Sequence, residues 1–245
     1  MKLLIDAGNT RIKWALLNRD EWLRNGILPV EQAGELPQQF AGMHDIQQVW
    51  VSNVAGEEVA QHIRNIKVGQ KVSQSSQLHF IVARETQCGV YNGYSNAGQL
   101  GSDRWAALIA AWHLVRGKCM VVNCGTAITI DTLSEQGKFL GGLILPGVEL
   151  MQRSLVAATS QLRLEQGNYA MFPLNTADAL FSGAIQACCG AIERQYVLLE
   201  DASAPVVLSG GAAGLLEKSI NLPLNAVDNL VLQGLLLISQ EAGAR

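Results

Sequence analysis

The sequence lacks the long apolar runs of a membrane protein. No run reaches the roughly 18 consecutive apolar residues that a membrane-spanning helix needs. The N-terminal apolar stretch extends only from Leu3 to Ile5 before Asp6 interrupts it. Such a stretch is too short for the core of a signal peptide. We therefore expect a cytoplasmic protein without a membrane partner.

Cysteine, histidine and basic residues are too few or too scattered for several common kinds of site. The five cysteines form no CxxC pair and the four histidines show no HExxH spacing, so neither a disulfide framework nor a zinc site is expected. The formal net charge is −3, from 18 basic and 21 acidic side chains. A protein that coats nucleic acid needs a basic face, so we expect no nucleic-acid partner.

Two nucleotide-binding motifs are also absent. No GxxxxGK[ST] motif occurs, which excludes a P-loop, and no GxGxxG motif supports a Rossmann dinucleotide site. Material for a core is abundant, since 49% of the 245 residues are apolar and only 16% are charged. A chain of this length and composition is expected to form one or two globular domains.

A repeat divides the chain into two halves. Residues 3–10 and residues 120–127 each carry a short apolar strand pattern that ends in Asp or Asn, any residue, Gly and a small polar residue. The two copies are 117 residues apart, and a second strand-like run follows each of them. Repetition at nearly half the chain length indicates two similar subdomains. We predict domains of residues 1–116 and 117–245.

Hydrophobic periodicity predicts an α/β fold with mixed sheets in both halves. Strands are predicted near residues 2–7, 11–17, 21–28, 47–53, 78–83, 119–123, 127–133, 138–145, 205–209 and 223–226. Helices are predicted near residues 31–41, 56–67, 103–116, 147–158, 176–200, 212–219 and 228–242. Residues 84–100 are rich in Gly, Asn, Tyr and Ser and are predicted to form a loop.

The turn from Asp6 to Thr10 is the first candidate site. Gly8 lets backbone N–H groups approach an anion without a Cβ in the way. Asp6 can hold a cation that neutralises phosphate charge, and Lys13 can reach a phosphate from the next strand. An ordinary β-hairpin uses the same turn residues, and Lys13 also suits a solvated strand position. Both interpretations stay open for this turn taken alone.

Two further glycine turns and one polar motif follow along the chain. Gly125-Thr126-Ala127 repeats the first turn, and Ser209-Gly210-Gly211 lies between a predicted strand and a predicted helix. Gly101-Ser102-Asp103-Arg104 precedes another predicted helix. Asp103 is either a general base beside a cation or a first-turn residue that the helix dipole stabilises.

The complete set of motifs resembles that of type III pantothenate kinases, in order and in spacing. The resemblance rests on Asp6-Ala7-Gly8-Asn9-Thr10, Tyr94 before Gly101-Ser102-Asp103-Arg104, Gly125-Thr126-Ala127, Gly141-Gly142 with Pro146-Gly147, Asn175-Thr176 and Ser209-Gly210-Gly211. This family is part of the actin, sugar kinase and Hsp70 superfamily. The resemblance implies two similar ribonuclease-H-like subdomains with a nucleotide cleft between them.

The resemblance also implies a reaction, its site residues and its cofactors. The reaction is phosphorylation of pantothenate by ATP, the first step towards coenzyme A, with Asp103 as the base. The implied pantothenate contacts are Tyr94, Gly101, Ser102, Arg104 and Thr176. The implied ATP contacts are Asp6, Ala7, Gly8, Asn9, Thr10, Arg11, Ile12, Lys13 and Thr126. A divalent cation such as Mg²⁺ at Asp6, a monovalent cation (K⁺ or NH₄⁺) at position 123 and a homodimer are also implied.

One position departs from the family pattern. Asn123 stands where the family usually has the Asp that binds the monovalent cation, so we expect weaker or altered cation binding. The Trp, Leu and Ile stripe from Trp105 to Val115 is the expected dimer interface. Two alternatives stay open: another phosphotransferase or phosphatase of the superfamily, and a regulator without enzymatic activity. Asp6, Asp103 and Arg104 argue against the regulator, since a scaffold does not need them.

Overall fold

A computed structural model describes residues 1–43, 45–66 and 77–244. It divides the chain into two compact units, Met1–His113 with Leu230–Arg245 and Leu114–Asn229. The predicted domains were two continuous segments divided after residue 116. The structure instead groups the last helix of the chain with the first unit. Of the predicted helix 56–67, residue 67 lies outside the described residues.

The first unit contains a five-stranded mixed sheet. Its strands are β1 (Lys2–Ala7), β2 (Arg11–Asn18), β3 (Glu21–Pro29), β4 (Gln48–Asn53) and β5 (Gln77–Phe80). Their order is β3-β2-β1-β4-β5, with β1 antiparallel to β2 and parallel to β4. The predicted loop at 84–100 includes a short hairpin, β6 (Thr86–Gln87) and β7 (Val90–Tyr91), and a 3₁₀ turn, Ala97–Gln99.

The first unit also contains helices. They are α1 (Leu36–Gln39) after a 3₁₀ turn at Val30–Glu35, α2 (Glu57–Arg64), α3 (Ser102–Val115) and, at the end of the chain, α7 (Leu230–Gly243). Leu3 and Ile5 of β1 form one core cluster with Phe40 and Ile63. Helix α7 packs on β1 and β4 and meets α3 at Gly234, where a side chain would collide with the Ala106 carbonyl. This packing draws the C-terminal helix to the first unit.

The interior of α3 is apolar on every side. Every residue from Trp105 to Ala111 is buried. The first part of the stripe proposed as a dimer interface, Trp105 to Ala111, is therefore buried within the chain, as expected of a helix that is hydrophobic all round. Leu114, near the end of α3, is exposed.

The second unit repeats the architecture of the first. Its strands are β8 (Cys119–Cys124), β9 (Ala127–Leu133), β10 (Phe139–Pro146), β11 (Val206–Ser209) and β12 (Leu224–Ala226), in the order β10-β9-β8-β11-β12. Its helices are α4 (Val148–Ala158), α5 (Thr176–Val197) and α6 (Ala213–Glu217). Since both sheets have the same strand order, the prediction of two similar α/β subdomains is confirmed.

Cysteines contribute to the core of the second unit. Cys124, Cys188 and Cys189 are buried in one apolar cluster, and burial raises the pKa of the Cys124 thiol to about 12. All five cysteines are free thiols. Cys124, Cys188 and Cys189 therefore pack as small hydrophobic side chains. In the described parts of the chain, no helix has the length and apolar character needed to span a membrane.

Candidate active site

The site starts from three neighbouring positions on the first sheet. Asp6 of β1 pairs directly with Lys13 of β2 and with Ser52 of β4. Residues that face each other across neighbouring strands point to the same side of a sheet. Asp6, Lys13 and Ser52 therefore form a row near the carboxyl ends of the parallel strands β1 and β4. In open α/β sheets, ligands bind at this edge.

The carboxyl group of Asp6 is in an unusual electrostatic environment. Burial and the negative charge of Asp103 raise the pKa of Asp6 to about 7, while Lys13 acts in the opposite direction. The structure therefore brings Asp6 and Asp103 close enough to interact, although they lie far apart in the chain. Two like charges that are partly withdrawn from water are typical of a functional site.

The N-terminus of α3 holds Asp103 in a defined orientation. The Oδ1 atom of Asp103 accepts a hydrogen bond of 2.8 Å from the backbone N–H of Arg104. A Cβ at Gly101 would lie 2.6 Å from the same oxygen, so only glycine leaves room for the carboxylate here. Asp103 is thus a first-turn residue of α3, and its Oδ2 atom is the oxygen available to take a proton.

Arg104 is buried beside Tyr94. Its Nη1 atom donates to the Tyr94 hydroxyl at 3.2 Å, and its guanidinium carbon lies 5.9 Å from the centre of the Tyr94 ring. Asn92 fixes the loop around Tyr94, because its Oδ1 accepts from the Tyr94 N–H and its Nδ2 donates to the Ala97 carbonyl. The structure brings together the predicted residues Tyr94 and Arg104, and the pair presents a guanidinium suited to a carboxylate.

The predicted ATP-binding segment forms the turn between β1 and β2. The Gly8 N–H donates to the Arg11 carbonyl at 3.1 Å, which closes the turn. Asn9, Thr10 and Arg11 are exposed, whereas the side chains of Ala7 and Ile12 are buried in the core. Ala7 and Ile12 can therefore contact a ligand only through their backbone atoms.

The second unit builds a similar turn between β8 and β9. The Gly125 N–H donates to the Ala127 carbonyl at 3.0 Å, and Thr126 is exposed at the tip. Gly147 and Gly210 pack so closely on this turn that a side chain at either position would collide with its backbone. Gly210 also has a φ of +102°, which favours glycine. These two glycines therefore allow neighbouring backbone to pack directly against the turn.

Asn123 occupies the position on β8 that Asp6 occupies on β1. It pairs with Thr129 of β9 and with Ser209 of β11, so the row contains an amide and two hydroxyl groups. Asp131 is buried two residues beyond Thr129, on the same side of β9. The oxygen atoms of Asn123, Thr129 and Ser209 suit a weakly held cation, but they lack the charge of the expected Asp.

Thr176, a predicted pantothenate contact, is the first residue of α5. It is exposed, and its neighbour Asn175 caps the helix by accepting from the Asp178 N–H at 2.9 Å. Thr176 belongs to the second unit, whereas Tyr94, Gly101, Ser102 and Arg104 belong to the first.

The sequence pattern does not single out Ser52. This serine is fully buried, and its Oγ atom lies 2.9 Å from the Oγ atom of Ser102. The only sign in the sequence is a polar residue that follows the apolar run at the end of a predicted strand. Nothing in that pattern indicates its partner 50 residues later.

The acidic residues of the first unit suit a divalent cation shared with phosphate groups. In residues 1–43, 45–66 and 77–244, no group of three or more His, Cys, Asp and Glu side chains could hold a metal ion by itself. Mg²⁺ typically binds one or two carboxylates and completes its shell with water and substrate phosphates. Asp6, whose raised pKa reflects poorly compensated charge, fits that role.

Comparisons with known proteins agree on one family. The model of a family described as type III pantothenate kinase matches residues 2–197. The chain is 45% identical to the type III pantothenate kinase of Nitrosospira multiformis over 98% of this chain and 91% of that protein. It is 44% identical to the type III pantothenate kinase of Aromatoleum aromaticum over the full length of both.

Solved structures share the fold. One described as a Baf family transcriptional activator from Campylobacter jejuni has a TM-score of 0.63 and 24% identity, over 99% of this chain and 100% of that chain. One described as a 2-dehydro-3-deoxygalactonokinase from Sinorhizobium meliloti has a TM-score of 0.60 and 14% identity, over 100% and 96%. At such identities the likeness shows the fold alone, and it is consistent with duplicated actin-like subdomains.

Proposed function

Because this chain belongs to the type III pantothenate kinase family, we propose that Asp6, Asp103 and Arg104 form the active site at which pantothenate receives a phosphoryl group from ATP. The family phosphorylates pantothenate in coenzyme A biosynthesis and, as a kinase family, uses ATP and a divalent cation. The observation that carries the site proposal is the interaction of Asp6 with Asp103, next to Lys13.

Asp103 acts as the general base in this proposal. Its Oδ1 atom accepts a hydrogen bond from the Arg104 N–H, and we assign the other carboxylate oxygen, Oδ2, to the substrate. The pantothenate hydroxyl gives its proton to Oδ2 while its oxygen attacks the γ-phosphorus of ATP, and ADP leaves. In phosphoryl transfer the enzyme contributes mainly positioning and charge neutralisation, so a fixed carboxylate is well suited to this step.

Asp6 would hold the divalent cation, which would supply positive charge beside the phosphates. The carboxylate lies at the end of β1, directly before the turn that contains Gly8. Lys13, on the same side of the sheet, adds a positive charge for the phosphates. We assign the ATP phosphates to the segment from Asp6 to Lys13, in which Ala7 and Ile12 contribute only backbone atoms. The assignment of Thr126 to ATP rests on the family resemblance.

Arg104 binds the carboxylate of pantothenate. A guanidinium can pair with a carboxylate through two parallel hydrogen bonds if its plane is fixed. The hydrogen bond and ring contact with Tyr94 fix that plane. Gly101 and Ser102 precede Arg104 in the same junction and are assigned to the same substrate. The assignment of Thr176 to pantothenate rests on the family resemblance.

Asn123 gives this enzyme a weaker monovalent-cation site than a carboxylate would. Its row with Thr129 and Ser209 offers neutral oxygens, which attract K⁺ or NH₄⁺ less strongly than a charged ligand does. A homodimer and a cytoplasmic location complete the proposal. Both rest on the family resemblance and on the sequence.

Turnover of the purified protein tests the proposal directly. We expect ATP, Mg²⁺ and pantothenate to give ADP and phosphopantothenate, detected by mass spectrometry. The matched control is pantothenamide, in which a neutral primary amide replaces the carboxylate of pantothenate. It should need a much higher concentration for the same rate, because Arg104 then lacks a charged partner. Absence of phosphopantothenate from a folded preparation supplied with Mg²⁺ and K⁺ would contradict the proposed function.

A further inference from the structure

Ser52 is a buried serine next to the proposed site to which the family resemblance assigns no role. It lies near the end of β4, pairs with Asp6 across the sheet and has no exposed surface. Its Oγ atom lies 2.9 Å from the Oγ atom of Ser102, the first residue of α3. This pair of hydroxyl groups joins the sheet to the helix that carries Asp103.

Burial decides which of the two hydroxyl groups donates. Within the described parts of the chain, Ser102 is the only hydrogen-bond partner found for the Ser52 hydroxyl. If Ser102 donated, the hydrogen of Ser52 would be buried without an acceptor. Such an unmade bond carries the full desolvation cost of the donor. Either oxygen can donate at this distance, and the arrangement that leaves no hydrogen of Ser52 unpaired is the one in which Ser52 donates and the Ser102 oxygen accepts.

When Ser52 is the donor, the Ser102 hydroxyl is restricted in where its own hydrogen can point. A serine hydroxyl has one hydrogen and two acceptor lone pairs. Because a lone pair of Ser102 receives the Ser52 hydrogen, its own hydrogen must point elsewhere. Ser102 is 9% exposed, whereas Ser52 is 0% exposed, so Ser102 is the residue of the pair that keeps accessible surface.

We infer that Ser52 is a positioning residue that fixes the Ser102 hydroxyl as a hydrogen-bond donor to an oxygen atom of pantothenate. This inference rests on the proposed function, in which Ser102 contacts that substrate. Without Ser52, the Ser102 hydroxyl can rotate, and it spends part of its time with its hydrogen turned away from the substrate. Pantothenate affinity should fall, while ATP affinity should not.

A double-mutant cycle on the KM for pantothenate tests this inference. Ser102→Ala should raise that KM by about 3- to 10-fold, the effect of one neutral hydrogen bond, and Ser52→Ala should raise it by less, because the Ser102 hydroxyl can still donate part of the time. The double variant should not exceed Ser102→Ala, because Ser52 acts only through Ser102. The KM for ATP should not change. Ser52→Cys keeps a similar volume with a weaker donor and should show a smaller change in the same direction.

Ser239→Ala is the matched control. Ser239 is another buried serine of the first unit, and its hydroxyl donates to the Leu236 carbonyl at 2.7 Å. This variant should change thermal stability without changing the KM for pantothenate. The inference would be overturned if the increase in the KM for pantothenate caused by Ser52→Ala simply added to that caused by Ser102→Ala. It would also be overturned if Ser52→Ala raised the KM values for pantothenate and ATP equally. An unchanged KM in Ser102→Ala would instead overturn the proposed contact of Ser102, and the inference with it.

Discussion

At the scale of single residues, Asp6 combines a role in function with a cost in stability. Its folded-state pKa of about 7 lies above the ordinary value of 3.8. The folded protein therefore holds a proton on Asp6 that the unfolded chain releases between these two values. Linkage then requires that stability falls as the pH rises from about 4 to 7. A residue kept at such a cost is typical of a functional site.

Asp6→Asn should remove this cost in protein free of metal and nucleotide. We expect the variant to be more stable than the parent by about 1–3 kcal/mol at pH 8, with the difference vanishing near pH 4. Denaturant unfolding at both pH values measures it. Activity should be lost, because the amide cannot hold the divalent cation as the carboxylate does.

Asp20→Asn provides a control with the opposite sign. Hydrogen bonds from Lys2 and Gln240 lower the pKa of Asp20, so its contribution to stability is present at neutral pH and is lost as the pH falls through that lowered value. Asp20→Asn should therefore destabilise the protein at pH 8. If Asp6→Asn also destabilises at pH 8, the electrostatic account of Asp6 is wrong.

Arg104→Ala should mainly raise the KM for pantothenate. A clamp on the substrate carboxylate acts equally in the ground state and in the transition state, so kcat at saturating pantothenate should change less. Steady-state kinetics with each substrate varied in turn measures the split. Arg64→Ala, which removes an exposed arginine paired with Glu57, is the control. A large fall in kcat with an unchanged KM would contradict the proposed role.

Asn123→Asp should increase the affinity for a monovalent cation. A carboxylate at this position adds the charge that the present row lacks, so half-maximal activity should need less K⁺. The measurement is activity against K⁺ concentration at constant ionic strength for parent and variant. Superimposable curves with a strong K⁺ requirement in both would show that position 123 does not set cation binding.

At the scale of elements, the junction between Gly101 and α3 decides where the base lies. A Cβ at Gly101 would come within 2.6 Å of the Asp103 carboxylate, which has to move. Displacement of a catalytic group by about 1 Å can cost on the order of 100-fold in rate. Gly101→Ala should therefore lower kcat strongly in a folded protein. Gly190→Ala on α5, where a Cβ meets no atom within 4 Å, is the control and should keep full activity.

The strongly patterned elements were predictable, and the irregular ones were not. Strands β1, β2 and β9 match the predicted ranges closely, because alternation and buried apolar runs are clear signals. The predicted helix 31–41 is a 3₁₀ turn followed by the four-residue α1, since Gly34 and Pro37 interrupt a regular helix. Hairpin β6–β7 has only two residues in each strand, too few for a period to appear.

The candidate site was predictable only in part. Asp103 and Arg104 are neighbours in the chain, so a motif identifies them together. The approach of Asp6 to Asp103 depends on how α3 packs at the end of the sheet, which spacing alone does not reveal. Ser52 and Asn92 act through single hydrogen bonds to residues elsewhere in the chain, and a serine or an asparagine is too common to mark such a role.

At the scale of the whole molecule, duplication explains most of the architecture. Two sheets with the same strand order reproduce the repeat in the sequence, and Pro29 and Pro146 end equivalent strands. The return of α7 to the first unit was not predictable from the order of the elements. It depends on the close approach of Gly234 to Ala106.

We predict that the protein is a homodimer in solution. We expect light scattering at assay concentration to give twice the mass of one 26.4 kDa chain. The residues from Trp105 to Ala111 are buried in the chain, so of the predicted stripe only the end of α3, where Leu114 is exposed, is accessible to a partner. A fully active monomer at the same concentration would overturn the prediction.

In the proposed reaction Asp103 takes the proton of the pantothenate hydroxyl, and the activities of two Asp→Asn variants test this role. Asp103→Asn keeps the size of the side chain but removes the base, so kcat should fall by about 10²–10⁴ with the fold intact. Asp20→Asn, the same substitution at a surface ion pair of the first unit, should keep the parent activity. A folded Asp103→Asn enzyme as active as Asp20→Asn would contradict the claim and leave Asp103 as a first-turn residue of α3.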